Sequence, residues 1–215
     1  MKSLKNWLLV LSVLSCFGCS SPVHEDGRGC AFVSDSIQYR VEFMSEGCVR
    51  ILSFPEGDTL VTKRLVVDSQ KPAFKDYKWK DTGQQLIFST RELSVAFDKE
   101  DAAFTFQETS TGKLLLKEKG DRKARNFKRS VAGGEQCLEV TQRFVPTDDE
   151  AIYGLGQYQN GIMNYRGKSV LLLQANMDIV NPFLISTNGY GILWDNYSST
   201  KFEDTKEGYS FTSEV

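Results

Sequence analysis

One histidine, His24, is the only imidazole among the 215 residues. Histidine-ligated metal sites, Ser/His/Asp triads and Cys/His dyads all need an imidazole at the chemistry, so most hydrolytic machinery is excluded. No metal-ligand spacing and no cofactor motif is legible, and neither a metal nor a cofactor is expected. A basic excess is lacking too. Lys and Arg number 26 against 28 Asp and Glu, a net charge of −2, and nucleic acid is not an expected partner. Long apolar runs are missing: the stretch from Trp7 to Leu14 falls well short of the ~20 residues a membrane-spanning helix needs. Helical periodicity is nearly absent.

What is present is enough apolar material for a core, 40% hydrophobic and 12% aromatic, in a length that fits one domain plus a tail. The tail comes first. Lys2 and Lys5 precede the apolar run from Trp7 to Leu14, and small residues lead to a cysteine, which is the pattern of a secretory signal peptide. Cys16 after Val13-Leu14-Ser15, or Cys19 after Cys16-Phe17-Gly18, resembles a bacterial lipobox cysteine. The expected organisation is a lipoprotein signal peptide over 1–18, a linker over 19–29 and a β-sandwich over 30–215. Export follows, with the chain held on a bacterial membrane, periplasmic or at the cell surface, only through its lipid. Ser20 to Gly29 is polar and holds Pro22, as a linker does, and His24 inside it has no expected chemical role. Cys30, Cys48 and Cys137 match no metal motif. They read as small buried apolar residues, with a Cys30–Cys48 disulfide as the alternative.

From Ile37 onward apolar residues recur with period two: Ile37, Tyr39, Val41 and Phe43, then Leu93, Val95 and Phe97, Phe104 with Phe106, and Leu138 with Val140. These are half-buried strands. Shorter continuous runs at Leu86–Phe88, Leu114–Leu116, Val170–Leu173, Phe183–Ile185 and Ile192–Trp194 predict strands covered on both faces. Glu56-Gly57-Asp58, Thr111-Gly112-Lys113, Ala132-Gly133-Gly134 and Asn188-Gly189 supply turns between them. The expected fold is all-β, an antiparallel sandwich or barrel. The basic stretch from Lys117 to Arg129, interrupted by Glu118 and Asp121, reads as a solvated hairpin loop.

Glycoside hydrolysis usually needs two carboxylates facing each other across the scissile bond. Asp148-Asp149-Glu150, Asp195 and Glu203-Asp204 are the acidic candidates, and none carries a catalytic signature; no catalytic residue is assigned. Trp79 and Trp194 have the faces to stack on sugar rings, although aromatics at strand spacing are more often core.

The stretch from Tyr153 to Asn196 is richest in information. Glycines at 154, 156, 161, 167, 189 and 191 alternate with amides, a loop-rich surface suited to sugars. Tyr153-Gly154-Leu155-Gly156-Gln157 matches a Y-G-x-G-(E/Q) turn. Asn181-Pro182-Phe183-Leu184-Ile185-Ser186 and Gly189-Tyr190-Gly191-Ile192-Leu193-Trp194-Asp195-Asn196 match a P-F-x-x-S and G-Y-G-x-L-x-x-N strand pair. In these motifs the sequence resembles the N-terminal domain of glycoside hydrolase family 31, in particular the bacterial α-xylosidases that trim xyloglucan oligosaccharides.

The resemblance implies a galactose-mutarotase-like supersandwich packed on a (β/α)₈ barrel that carries both catalytic aspartates. A barrel takes ~250 residues of strand and helix alternation, and no such pattern is in this sequence. The expectation is therefore an N-terminal portion of an α-glycosidase, inactive alone, with a barrel in cis or separately encoded as its partner and an oligosaccharide as substrate. A loop of this domain reaches the rim of the substrate pocket in the family, and here it corresponds to Gln174, Asn176 and Asp178. Asn176 stands where many relatives have aspartate, which keeps an acceptor and loses the charge. A free-standing carbohydrate-binding lipoprotein is the alternative function. A mutarotase is disfavoured because the lone His24 lies in a tether.

Overall fold

The computed structural model describes residues 23–58, 66, 73–120, 127–132 and 134–214. The predicted signal peptide, Cys16, Cys19 and the first part of the predicted linker lie outside the described residues, as do 121–126 of the basic stretch and Gly133 of one predicted turn.

Seventeen strands and no helix make up the described residues. Strands β1 (His24–Glu25), β2 (Cys30–Ser34), β3 (Ile37–Ser45) and β4 (Cys48–Pro55) form one antiparallel sheet in that order. Strands β5 (Lys78–Asp81), β6 (Gln85–Ser89), β7 (Leu93–Asp98), β8 (Ala103–Glu108) and β9 (Leu114–Lys117) form a second meander. The remainder, β10 (Phe127–Ala132), β11 (Glu135–Phe144), β12 (Ile152–Gln157), β13 (Ser169–Leu172), β14 (Ile179–Ser186), β15 (Gly191–Leu193), β16 (Thr200–Thr205) and β17 (Gly208–Glu214), divides between two sheets. Their orders are β10-β11-β17-β16-β13 and β12-β14-β15. All pairings are antiparallel, and the all-β expectation holds.

The period-two residues face one another across each sandwich. Phe32, Tyr39, Val41 and Phe43 of the first sheet bury against Leu86, Phe88, Val95, Phe97 and Phe104 of the second. The Phe97 ring centroid lies 4.8 Å from Phe32 and 4.9 Å from both Tyr39 and Phe104, tilted contacts worth ~0.5–1.5 kcal/mol each beyond burial. A second core gathers Phe144, Ile152, Leu155, Leu172, Leu184, Phe202, Tyr209 and Phe211. Phe106 packs against both cores. At this junction the ladder runs on from one sandwich to the other: Val145 N–H donates to Lys117 O and Lys119 N–H to Arg143 O, both at 2.9 Å. The two sandwiches thus form one supersandwich.

Three expectations are corrected. Residues 23–29, read as linker, are part of the domain: β1 pairs with β2, and Val23 packs against the first core. Polar side chains here do not signal mobility, because Asp26 and Glu25 find fixed partners on neighbouring strands. Not every continuous apolar run is covered on both faces: Leu115 and Leu116 of β9 pack against the first and second cores, but in β14 Leu184 is buried while Phe183 and Ile185 are exposed. The cysteines are free among the described residues, and only Cys30 is a buried apolar one, since Cys48 is exposed and Cys137 half-buried.

Candidate functional site

The Tyr153–Gln157 motif is a β-bulge. Register between β12 and β14 shifts between Gly154 and Gly156, and Gly154, Leu155 and Gly156 have φ of 104°, 65° and 124°. A Cβ on Gly156 would lie 2.1 Å from Ile179 O, so only glycine lets the two backbones approach this closely. The bulge turns Leu155 fully into the second core. Tyr158 follows, donating its hydroxyl to Leu155 O at 3.1 Å; burial pushes its phenol up to about 12, helped by Tyr165 and the Asp178 carboxylate.

The predicted rim residues sit on the connection from β13 to β14, beside this bulge. Gln174 uses its amide inward: Nε2 donates to Asp178 O at 2.8 Å and Oε1 accepts from Val180 N–H at 3.1 Å. It braces the turn, in which Met177 has a φ of 72°. Asn176 is exposed at the tip, its side chain making no hydrogen bond among the described residues, and Asp178 is half-buried. The loop therefore presents Asn176 and Met177 outward and holds its shape through Gln174.

The acidic candidates are dispersed. Asp148 and Asp149 are exposed in a turn. Glu150 is buried: its Oε1 accepts from Ser186 Oγ at 2.6 Å and from the Tyr190 hydroxyl, and its Oε2 from Thr147 N–H at 3.0 Å. Tyr190 in turn meets the Tyr209 hydroxyl at 2.7 Å. Burial and the Glu150 carboxylate raise the Tyr190 phenol well above its ordinary range. Asp204, also buried, accepts from Arg166 Nε at 2.7 Å and from Gly167 N–H at 2.6 Å. Glu203 pairs with Lys201 on the outer face, and Asp195 faces Arg50 of β4 at 3.6 Å. Glu150 and Asp204 organise the second core, and no two of these acids form an opposed pair open to a sugar.

The tryptophans divide. Trp194 stacks on Phe211 at 5.3 Å and donates Nε1–H to Ser213 Oγ at 2.9 Å, which makes it core. Trp79 lies on exposed β5, and its Nε1–H meets Glu25 Oε2 at 3.2 Å.

What sequence reasoning missed is a surface. On the outer face of β12-β14-β15, Tyr153 is paired with Ile185 and Phe183 with Leu193, and all four are 36–52% exposed. Ile179 continues the row along β14. The outer face of the five-stranded sheet is polar by contrast: Lys201 opposes Thr212 and Glu203 opposes Ser210, with Leu171 the exposed leucine beside them. The doubly apolar run in β14 was the signal for this face, since it called for cover on both sides.

The chain as a whole is similar to known proteins. A model of the glycosyl hydrolase 31 N-terminal galactose mutarotase-like domain matches residues 38–203. An alpha-xylosidase of Saccharolobus solfataricus is 34% identical over 178 residues, 76% of this chain and 23% of that protein. An uncharacterized family 31 glucosidase of Pseudescherichia vulneris is 36% identical over 91 residues, 42% of this chain and 17% of its own length. Among solved structures, the GH31 alpha-xylosidase of Xanthomonas citri superposes with a TM-score of 0.75 at 31% identity, over 86% of this chain and 20% of that one. A GH31 alpha-xylosidase from a soil metagenome, complexed with xylose, gives a TM-score of 0.74 at 21% identity, over 91% of this chain and 31% of that one, a likeness of fold. The chain thus spans less than a third of the length of each of these relatives. On the match over residues 38–203, the chain belongs to glycoside hydrolase family 31, as its N-terminal galactose mutarotase-like domain.

Proposed function

We propose that this chain is the supporting sandwich of an α-xylosidase-like glycosidase. It seats a catalytic (β/α)₈ barrel, carried in cis or on a separate chain, acts with it on an oligosaccharide, and turns over nothing alone. It works outside the cytoplasm, held to a bacterial membrane by a lipid on Cys16 or Cys19.

The observation that carries the reading is the contrast between the two outer faces of the second sandwich. Exposed apolar side chains in a contiguous row cost free energy in water, at ~25 cal/mol per Å² left uncovered, and mark a surface that another body covers. Tyr153, Phe183, Ile185 and Leu193 form such a row next to a polar sheet of similar construction. Glu150, buried and hydrogen-bonded to Ser186 and Tyr190, and Asp204, buried and ion-paired with Arg166, support the inactive part, because neither carboxylate is placed to meet a glycosidic oxygen.

The test is an assay of the purified chain on aryl α-xylosides and xyloglucan oligosaccharides, alone and mixed with a family 31 barrel. The expected result is no turnover by the chain alone and a gain of barrel activity or solubility on mixing. Turnover by the chain alone overturns the reading. Binding of xyloglucan fragments by the chain in the absence of a barrel would instead favour a free carbohydrate-binding lipoprotein.

A further inference from the structure

The chain enters the first sandwich at a fixed point. Val23 packs on the core, β1 pairs with β2, and Glu25 grips β5 and its approach through both carboxylate oxygens: Tyr77 donates its hydroxyl at 3.0 Å and Trp79 its Nε1–H at 3.2 Å. Asp26 is held as firmly, accepting from Arg40 at 2.5 and 2.7 Å and from Arg28 N–H at 2.8 Å. No slack remains downstream of Val23. Upstream, Val23 lies four positions after Cys19 and seven after Cys16. At ~3.5 Å per residue, a lipid on either cysteine leaves Val23 at most ~14 or ~25 Å from its attachment in the membrane.

We infer that the β1–β5 edge of the first sandwich rests on the lipid headgroups and holds the second sandwich, with its apolar sheet, away from the bilayer. This placement rests on the lipid-anchored reading given above. The chemistry of the edge suits the partner. Lys75, Lys78 and Lys80 are exposed around Trp79, against Asp76 and Asp81, the latter paired with Lys99, so the edge offers cations to anionic headgroups and an indole suited to the interface. Nearby, Asp26 is neutralised by Arg40, while Glu25, held by the neutral Tyr77 and Trp79, keeps its charge and is outnumbered by the lysines. The opposite edge of the same sheet is β4, where Arg50 meets Asp195 of the second sandwich. Three strand spacings of ~4.8 Å put these edges ~14 Å apart.

That geometry gives a built-in reporter. Of the three tryptophans, Trp7 leaves with the signal peptide, Trp79 touches β1, and Trp194 adjoins Asp195 beyond β4. The full-length precursor is expressed in a bacterial host and the processed lipoprotein is reconstituted in vesicles of phosphatidylglycerol and phosphatidylethanolamine carrying a headgroup spin label. Fluorescence is read from Trp194→Phe, which reports Trp79, and from Trp79→Phe, which reports Trp194. Vesicle flotation and fatty-acid labelling, both lost in a Cys16→Ser, Cys19→Ser double variant, report the anchor itself. The expected result is flotation with Trp79 quenched at least twofold more than Trp194. Flotation with equal quenching of the two, or with Trp194 the more quenched, overturns the placement alone. Absence of flotation and labelling overturns the anchor and the placement together.

Discussion

The Glu118 carboxylate accepts the backbone N–H of Phe104 at 2.9 Å, in a buried position where β9 runs out and the two sandwiches join. Its own N–H donates to Phe104 O at 2.8 Å, so residue 118 closes the rung with both backbone and side chain. Desolvation with a single backbone donor as compensation pushes the carboxyl up to about 8.

A pH dependence of stability follows. The folded carboxyl binds its proton more tightly than the unfolded one, whose ordinary value is 4.5, so stability falls as pH rises from there toward about 8. By pH 7 the loss is about 3 kcal/mol at 1.36 kcal/mol per pH unit. Glu118→Gln keeps an acceptor for Phe104 and removes the titration. Its melting temperature is expected to match the wild type near pH 5 and exceed it at pH 8, in scans of both proteins at each pH. Equal slopes with pH for the two would refute the assignment.

Asp26 has the opposite sign. Hydrogen bonding to Arg40 lowers its carboxyl to about 2 from 3.8, so its contribution is present above 3.8 and is lost as pH falls toward 2. Asp26→Asn should leave β1 more exchangeable at neutral pH than in the wild type, with the difference shrinking in acid. Hydrogen exchange of the β1 amides at pH 6 and pH 3 is the measurement.

Gly156→Ala meets both a positive φ and a carbonyl oxygen 2.1 Å from the new Cβ. The expected cost is on the order of 3 kcal/mol, against about 1 kcal/mol for Gly161→Ala, where φ is +67° and the space is open. Urea unfolding midpoints of the two variants compare them, and similar midpoints would remove the bulge as the reason for the motif.

Tyr190→Phe deletes the hydroxyl that links Glu150 to Tyr209 while leaving Ser186 Oγ and Thr147 N–H on the carboxylate. A loss of about 1–2 kcal/mol is expected. Glu150→Ala, which strands several buried donors, should cost about 3 kcal/mol or prevent folding. Chemical denaturation reads the first, and soluble yield the second.

Ile185→Asp and Phe183→Ser lie on the outer row of β14, opposite the buried face that carries Leu184. Each should change the melting temperature of the isolated chain by only a few degrees and improve its solubility. In a mixture with a family 31 barrel, both should weaken co-elution on size exclusion. A large loss of stability in the isolated chain would mean that the row packs internally.

The sequence alone determined the all-β class, the two-residue period of strands such as β3, β7 and β8, and the position of the Y-G-x-G-(E/Q) motif, read as a turn and found as a bulge in β12, because side-chain alternation and glycine's tolerance of positive φ are local properties. His24, read as part of a mobile tether, sits instead in the short exposed strand β1, which pairs with β2. Which face of each apolar run is covered was not legible. Phe183, Leu184 and Ile185 are alike in hydrophobicity, and only the placement of β12 and β15 beside β14 decides that Leu184 enters the core while its neighbours face outward. The fate of the acids was equally hidden. Glu150 and Asp149 are adjacent in the chain, yet one is fixed by Ser186 and Tyr190, 36 and 40 residues away, while the other lies in an exposed turn. Burial and pairing are set by contacts distant in sequence, and only the tertiary fold brings those partners together.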